Sequence, residues 1–497
     1  MSEHFPVLIV LLPLTAALLS PFFSYFHKQA GKWVAVASLV GAFLCATGLL
    51  FQVLADGGQA IHYHMGDWAP PLGIEFVIDP VNGVIVEMIT FVAMCTAIYS
   101  TPFLKKSNWL YMGGYYTLMS LLCVGLSGMT LTGDVFNLYV YLEIASLSGY
   151  GLIALGGNKS TLAAFRYLLV GTIGASLYLL AIGFMYSMTG SLNMADLSVL
   201  LQDKMDSPLI ILSLALLIAA FGIKAALFPF HGWQPDAYTY SHPGAAPLIS
   251  GAMSKVPAYA LLRFFFYLFG AQHLFVQHGL TVVGILGALG IILGSVMAIA
   301  QDDFRRMLAY SSVAQIGYIA VGLAIGSFYG VIGAILHILN HAFMKGSLFM
   351  VIGGIQYRFG EVSISKLGQI GKKMPFTVFT LVVAALGMIG IPPTGGFFSK
   401  WYIMQGAMDT GQYIYIAVLV ISSLLNAVYF FRVLENVFIN PDAGLKEVNA
   451  PTGKFELPLQ MLIPIVVFGI MILALGFCNG AIVDGIIKLG LPEVFVR

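Results

Sequence analysis

Apolar runs long enough to cross a membrane recur along the whole chain, and they limit its possible folds more than any other feature. A run of about 20 apolar residues spans the hydrocarbon core of a bilayer as a helix. Only 9% of the 497 residues are charged and 59% are hydrophobic, whereas a soluble protein has about 25% charged residues. The sequence therefore predicts an all-α integral membrane protein with about fourteen transmembrane helices. The spans are expected at residues 5–26, 33–54, 80–100, 110–131, 135–156, 161–189, 208–230, 243–268, 279–300, 304–326, 328–355, 374–407, 412–438 and 457–479.

Two of these spans contain residues that interrupt a helix. Span 7 ends at Pro229 and continues through a polar stretch, and span 12 is split by the sequence IPPTGG at 391–396. Proline removes a backbone donor and clashes with the preceding turn, so both spans are predicted to be broken helices. Irregular backbone within a membrane is tolerated only where it lies against protein or lines a water-filled cavity.

The distribution of Lys and Arg predicts the orientation of the chain. Cytoplasmic loops carry an excess of these residues, and alternate loops of this chain are basic, so both termini are assigned to the outside. Segment 55–79 is then an external cap, for which a β-hairpin is expected. The basic loop positions are Lys28, Lys32, Lys105, Lys106, Lys159, Arg305, Arg306, Arg358, Lys366, Lys372, Lys373, Lys446 and Lys454.

A weak internal repeat appears at an offset of about 168–171 residues: Gly149-Tyr150 recurs as Gly317-Tyr318, and Trp233 recurs as Trp401. Five spans per unit is an odd number, so the two units are predicted to be inverted in the membrane, as in many transporters. The predicted divisions are N-terminal helices and cap (1–79), third span and loop (80–109), two five-helix repeats (110–268 and 279–438), and a C-terminal span and tail (439–497).

Ionisable side chains inside the predicted spans are the candidate functional residues. A charge near mid-bilayer costs roughly 2.5–3.5 kcal/mol on insertion scales, so such residues are usually functional or paired. Snorkelling and structural ion pairs are the alternative explanations. The set is Glu87, Glu143, Lys224, Lys255, His337, His341, Lys345 and Lys400.

Glu143 in span 5 and Lys224, just before the break of span 7, are predicted partners because a nearby ammonium keeps a buried carboxylate ionised. The pair is either a static ion pair or a site at which Glu143 controls whether Lys224 keeps its proton. Lys255 lies near the bilayer centre before Pro257 and is predicted to carry protons.

His337, His341 and Lys345 follow one another at i, i+4 and i+8, which places them on one helical face. No HExxH motif or nearby Cys accompanies the two histidines, so we expect a water-linked proton relay there rather than a metal site. A packing role for one histidine remains open. Lys400 follows the break of span 12, and the role of Glu87 is left open between a neighbouring helix and a partner subunit.

Other chemistries have no motif in this sequence. Walker A, Rossmann, haem CxxCH and iron–sulfur patterns are missing, so no cofactor is expected and the chain has no redox centre of its own. The net charge is +1, which gives no indication of nucleic-acid binding.

Three stretches carry a family resemblance: FGIKAALFPFHGWQPDAYTYSHPGAAPLISGAMSKVPAYALLR, DDFRRMLAYSSVAQIGYIAVG and LNHAFMKGSLF. They resemble the proton-conducting antiporter-like subunits shared by complex I, membrane-bound hydrogenases and Mrp-type cation/proton antiporters. The resemblance covers residues 70–435 and implies a fourteen-span fold with two inverted five-helix units. It also implies a hydrophilic axis formed by Glu143, Lys224, Lys255, the His/Lys cluster of span 11 and Lys400. The external stretch GDWAPPLGIEFVIDPVN looks most like that of the D subunits of Mrp antiporters.

The resemblance implies a proton-translocating subunit of a multi-subunit Na⁺ or K⁺:proton antiporter in the plasma membrane of a bacterium or archaeon. Protons would enter at Lys224, pass Lys255 and the His/Lys cluster, and leave at Lys400. One alternative is a subunit of an NADH:quinone oxidoreductase or membrane-bound hydrogenase, in which partner subunits carry the electrons. A non-conducting structural subunit is the second alternative. All three interpretations expect other membrane subunits as partners.

Overall fold

Helices of membrane-spanning length dominate the structure, a computed structural model that describes residues 2–441, 445–449 and 455–492. Within this part of the chain, 11 helical spans are long and apolar enough to cross a membrane. The helix at 135–154, the irregular helix at 246–269 and the broken helix at 375–409 supply the remaining crossings of the predicted fourteen. Lys454, one of the basic positions used for orientation, lies outside the described residues.

The helices follow the predicted spans closely, with differences of a few residues at their ends. In chain order they are α1 (Phe5–Phe26), α2 (Ala30–Ala55), α3 (Pro80–Leu104), α4 (Trp109–Leu131), α5 (Val135–Ala154), α6 (Asn158–Thr189), α7 (Met194–Leu200), α8 (Pro208–Ala225), α9 (Gln234–Tyr240), α10 (Ala246–Leu248), α11 (Lys255–Arg263), α12 (Leu274–Ile299), α13 (Phe304–Ala324), α14 (Phe328–Phe359), α15 (Ile370–Lys373), α16 (Pro375–Ile389), α17 (Gly395–Asp409), α18 (Tyr413–Phe438), α19 (Leu459–Phe477) and α20 (Asn479–Ile482).

The external cap contains the expected hairpin. Strands β1 (Ile61–His64) and β2 (Glu75–Ile78) pair antiparallel, with His64 opposite Glu75. Immediately after β2, the Asp79 side chain accepts hydrogen bonds from the backbone N–H groups of Val81 and Asn82. This cap starts α3 at Pro80, so the hairpin leads directly into a membrane-spanning helix.

Both predicted helix breaks are confirmed. The first half of span 7, α8, ends at Ala225, four residues before Pro229, and Ala226 adopts a left-handed conformation with φ 62°. Trp233 Nε1 donates to the Ile223 carbonyl at 2.8 Å, which satisfies an acceptor near the end of α8. The first half of span 12, α16, ends before Gly390, whose φ of 92° favours glycine.

Span 8 is not a regular α-helix, which the sequence did not predict. A π-helical segment at Ile249–Met253 lies between α10 and α11, and a second follows at Phe264–Phe269. Short π-helical insertions are frequent at functional sites because they change the alignment of backbone carbonyls. The first segment ends two residues before Lys255.

The internal repeat is visible in matched elements. Helices α6 and α14 are both 32 residues long and begin 170 positions apart, at Asn158 and Phe328. Isolated β-bridges join Asp134 to Asn193 and Asp303 to Ser363, so the same local pairing occurs in both units at an offset of about 170 residues. The chain crosses an odd number of times between the two pairings, which places them on opposite sides of the membrane. The exact divisions at 79, 109, 268 and 439 remain predictions.

Helix α14 lies at the centre of the bundle. The 18-residue window that identifies it as a span is 100% buried, whereas the corresponding windows of α2 and α18 are 33% buried. Helices α13, α16, α17 and α19 surround α14. Polar side chains of α14 therefore face protein rather than lipid.

Close packing of α4 against α5 gives a stability prediction. A Cβ atom at Gly125 would overlap the backbone nitrogen of Ala145, so Gly125→Ala forces the two helices apart. A Cβ at Gly114, on the same helix, meets no described atom within 4 Å, and alanine there is favoured by about 0.5–1 kcal/mol. We expect Gly125→Ala to lower the melting temperature of the detergent-solubilised complex and Gly114→Ala to preserve or raise it. Equal melting temperatures for the two variants would contradict this packing.

Candidate functional site

The four lysines identified in the sequence are all buried in the bundle. Lys224, Lys255, Lys345 and Lys400 have relative exposures of 2%, 0%, 0% and 4%. A buried ammonium needs hydrogen-bond acceptors to offset its desolvation. The surroundings of each lysine therefore show how this fold accommodates its charge.

Lys224 lies in the last turn of α8 and is held by hydroxyl groups of α5. Its Nζ donates to Ser146 Oγ at 2.7 Å and to Tyr150 Oη at 3.4 Å. Tyr150 also presents the face of its ring, with the Lys224 Nζ 5.8 Å from the ring centroid. The break after α8 positions this lysine, because the helix ends one residue beyond it.

A static ion pair between Glu143 and Lys224, one of the two alternatives that the sequence left open, is not formed among the described residues. Glu143, Ser146 and Tyr150 occupy positions i, i+3 and i+7 of α5, so they share one face, and Lys224 bonds to the two hydroxyl residues instead. Glu143 Oε1 is buried and has no hydrogen-bond partner in the described chain. Glu143 therefore lies on the face of α5 that Lys224 contacts, one turn from Ser146, without bonding to Lys224 itself.

Lys255 is the first residue of α11 and reaches back to the π-helical segment that precedes it. Its Nζ donates to the Ser250 carbonyl and, at 3.5 Å, to Ser254 Oγ. Tyr238 Oη donates to the same Ser254 hydroxyl at 3.2 Å. The irregular backbone before Lys255 thus supplies a carbonyl acceptor that, in a regular α-helix, would accept the hydrogen bond of a backbone N–H group.

Lys345, His341 and His337 follow one face of α14 as the sequence predicted, and the rings of His337 and His341 stack 5.9 Å apart. Lys345 Nζ donates to the Leu308 carbonyl at 2.7 Å and to Ser311 Oγ on α13. Helix α11, which begins at Lys255, packs against both α13 and α14. Lys255 therefore belongs to a helix that borders the one carrying these three residues.

A complementary polar face on α13 was missed by the sequence analysis. Ser311 bonds to Lys345, and the Tyr318 ring stacks on His337 at 5.3 Å between centroids. Gln315 lies between Ser311 and Tyr318 on the same face of this antiparallel helix, at the level of His341. The spacing S-x₃-Q-x₂-Y in SSVAQIGY is the signal that identifies this face.

Gln315 and His341 carry polar atoms that the surrounding protein does not satisfy. Both side-chain amide atoms of Gln315, both ring nitrogens of His341 and Nε2 of His337 are buried without a hydrogen-bond partner among the described residues. Buried polar atoms in proteins are nearly always hydrogen-bonded, often to internal water. This cluster therefore has the chemistry of a hydrated site.

Lys400 lies one turn into α17 and points back across the break of span 12. Its Nζ donates to the carbonyls of Met388 and Ile389, at 2.8 and 2.9 Å, which are the last two residues of α16. These carbonyls lack helical partners and lie at the negative end of the helix dipole. Lys400 thus lies after the break of span 12, whereas Lys224 lies before the break of span 7.

His337 connects the α14 cluster to Lys400. His337 Nδ1 and Ser399 Oγ are 2.9 Å apart, and Ser399 directly precedes Lys400. The Lys400 Nζ also lies 4.8 Å from the centroid of Tyr318. The structure therefore brings His337, His341, Lys345 and Lys400 together.

Glu87 lies apart from this row, between α3 and α2. Thr47 Oγ1 donates to its carboxylate at 3.2 Å. A neighbouring helix thus supplies one partner for Glu87, one of the two possibilities that the sequence left open. Within the described residues, no cluster of three or more His, Cys, Asp or Glu side chains has metal-binding geometry.

Inverted five-helix repeats, two broken helices and a row of buried lysines define a multi-pass membrane protein of the ion-translocating class. Comparison with known proteins then identifies the family. The family described as "NADH:quinone oxidoreductase/Mrp antiporter, TM" matches residues 132–426, and the chain belongs to it.

Similar proteins cover the chain almost end to end. It is 45% identical to the N subunit of the NADH-quinone oxidoreductase of Desulforudis audaxviator (strain MP104C), over 99% of both chains. It is 30% identical to the D subunit of the Na(+)/H(+) antiporter of Bacillus subtilis (strain 168), over 95% of this chain and 94% of that protein. A chain of the membrane-bound sulfane sulfur reductase, an archaeal respiratory membrane complex, superposes with a TM-score of 0.90 at 29% identity, covering 99% of this chain and 98% of that chain.

The hydroxyl groups around Lys224 give a prediction for the site. Ser146→Ala combined with Tyr150→Phe removes both side-chain acceptors of the ammonium, and hydrogen bonds to charged groups contribute about 1.5–3 kcal/mol. We expect proton flux through the assembled complex in vesicles to fall by roughly tenfold or more. Ser148→Ala is the matched control, because the Ser148 hydroxyl bonds to the Ile144 carbonyl of its own helix. Equal flux in the double variant and the control would show that these hydroxyls do not serve Lys224.

Proposed function

We propose that this chain is the proton-translocating membrane subunit of a multi-subunit monovalent cation:proton antiporter. The observation that carries the proposal is the row of buried ionisable residues from Lys224 to Lys400, which joins the two broken helices of an inverted-repeat bundle. Transport paths of inverted-repeat proteins lie at discontinuous helices near the bilayer midplane. Burying lysines at that depth is costly, so ionisable residues there are a functional-site hypothesis by default.

The proposed path begins at Lys224, whose charge is coupled to that of Glu143. From there a proton moves through water to Lys255, and then to the cluster of His341, His337 and Lys345. Histidine suits the middle of this path, since it exchanges protons near neutral pH. Because like charges repel, a proton arriving on one lysine displaces the proton of the next.

Lys400 is the proposed end of the path. His337 is connected to Lys400 through Ser399. The Ser399 hydroxyl is hydrogen-bonded to His337, and Ser399 directly precedes Lys400 in α17. The carbonyls of Met388 and Ile389 hold the charged form of Lys400 until the proton leaves. An antiporter couples this release to Na⁺ or K⁺ moving the other way, and the name of the Bacillus relative, a Na(+)/H(+) antiporter component, supports this coupling.

A second candidate function has its own support. The relative at 45% identity is named as the N subunit of an NADH-quinone oxidoreductase, so the same path could be driven by electron transfer in partner subunits. Since this sequence contains no haem or iron–sulfur motif, those partners would carry every redox group. The non-conducting subunit is the third possibility.

Removing single lysines from the assembled complex tests the path. Lys255→Met and Lys400→Met keep an apolar stem of similar length but carry no proton, and we expect flux to fall by roughly a hundredfold. Acridine orange dequenching in inside-out vesicles, after addition of Na⁺ or K⁺, measures this flux. Lys372→Met, at an exposed position, is the control, and native gel electrophoresis verifies assembly. Near-normal flux in both variants would rule out the relay.

The same vesicles separate the two ways of driving the path. An antiporter alkalinises an acidified lumen when Na⁺ or K⁺ is added, because protons leave as the cation enters, and it ignores NADH. A redox-driven complex responds to NADH or another electron donor and ignores the cation gradient. We expect the response to the cation.

A further inference from the structure

A cavity of about 410 Å³ lies beneath the β-hairpin, on the side of the bundle that the basic-loop distribution assigns to the outside. Its polar wall includes Glu75, Asp79, Asn82, Thr130, Tyr259 and Arg263. Arg263 forms an ion pair with Asp79, and Arg263 Nε donates to Tyr259 Oη at 2.5 Å. A cavity of this size with charged walls holds several waters.

A second, much smaller space lies deeper in the bundle, at Lys224. It has a volume of about 10 Å³ and is lined by Ser146, Tyr167 and Lys224 among polar and aromatic groups. This is close to the volume that one water molecule requires. Both the ammonium of Lys224 and its partner Ser146 border it.

Only one helical turn separates the two spaces. On α5, Leu138 lines the outer cavity and Leu142 lines the inner one; on α11, Ala260 lines the outer cavity and Pro257 the inner one. Three or four residues of helix correspond to about 4.5–6 Å. Met129 of α4 lines both spaces and so forms the wall between them.

The wall has the composition of a gate. Met129, which borders both spaces, is apolar, as are Leu142 and Pro257 on its inner side, and apolar constrictions in membrane proteins block ions by excluding water. Methionine is unbranched and has three rotatable side-chain bonds, so it can leave and refill a gap without moving the backbone. Met129 is the side chain that the two linings share.

We propose that the 410 Å³ cavity is an outer vestibule for water and protons, and that Met129 gates its connection to Lys224. The vestibule gives Lys224 access to the outside, so protons exchange there with the outer solution. The role of this route in proton transport rests on the proposed function. The existence of the route is tested separately, without measuring transport.

Cysteine accessibility tests the vestibule. In a background in which Cys45, Cys95, Cys123 and Cys478 are replaced by alanine, Thr130→Cys places a thiol in the vestibule wall. A membrane-impermeant thiosulfonate applied to right-side-out vesicles of the complete complex is expected to label it, and the same reagent applied to inside-out vesicles is not. Absence of labelling from the outside, or equal labelling from both sides, would overturn the vestibule.

The gate is tested with Leu142→Cys, whose thiol lies on the Lys224 side of Met129. We expect slow labelling from the outside, accelerated by roughly tenfold or more when Met129→Ala is added. Met119→Ala is the matched control, since Met119 is a fully buried methionine of the same helix outside the linings of both spaces. If Met129→Ala does not assemble, Met129→Gln keeps the side-chain length, admits water, and carries the same expectation.

The outcomes distinguish this inference from the proposed function. Equal labelling of Leu142→Cys in the Met129 and Met119 variants would overturn the gate, whatever the transport result. If labelling follows the expectation while Lys255→Met still conducts protons, the access route stands and the lysine relay is wrong.

Discussion

The interaction on which this structure depends is the hydrogen bond that each buried lysine donates to an oxygen atom of a neighbouring segment. Lys400 bonds to the last carbonyls of α16, and Lys255 bonds to the Ser250 carbonyl of a π-helical segment. An ammonium without acceptors is too costly to bury. Irregular backbone supplies them for Lys255 and Lys400, whereas Lys224 and Lys345 find hydroxyl or carbonyl acceptors on the neighbouring helices α5 and α13.

The two repeats apply this interaction in different ways. In the second unit, Lys400 reaches back across the break to carbonyls of the preceding helix. In the first unit, Lys224 precedes the break and is held by Ser146 and Tyr150 of α5, while Trp233 takes the Ile223 carbonyl near the end of α8. The inverted repeats thus share a broken helix at matching positions, but each places its charge according to its local side chains.

Much of the fold was predictable from sequence because long apolar runs, prolines and basic loops each have a direct structural consequence. The breaks and the hairpin followed from such local signals. The π-helical segments beside Lys255 did not, since no residue type marks them. The static Glu143–Lys224 ion pair, one of two alternatives, does not form because Ser146 and Tyr150 share one face of α5 with Glu143 and hold the ammonium. Spacing alone cannot choose between these three groups. Gln315 was not predicted because a neutral amide in an apolar span carries no charge to mark it. Its role becomes visible only in the structure, where its amide and the ring of His341 are both buried without hydrogen-bond partners among the described residues.

The central claim is that water links the buried lysines and histidines into one path. Density for ordered water in a high-resolution cryo-EM map of the assembled complex tests this claim most directly. The account predicts water bonded to the Gln315 amide and to the free ring nitrogens of His341 and His337, the polar atoms left unsatisfied among the described residues. A map in which these atoms bond to protein side chains, with no water between Lys255 and Lys400, would contradict it.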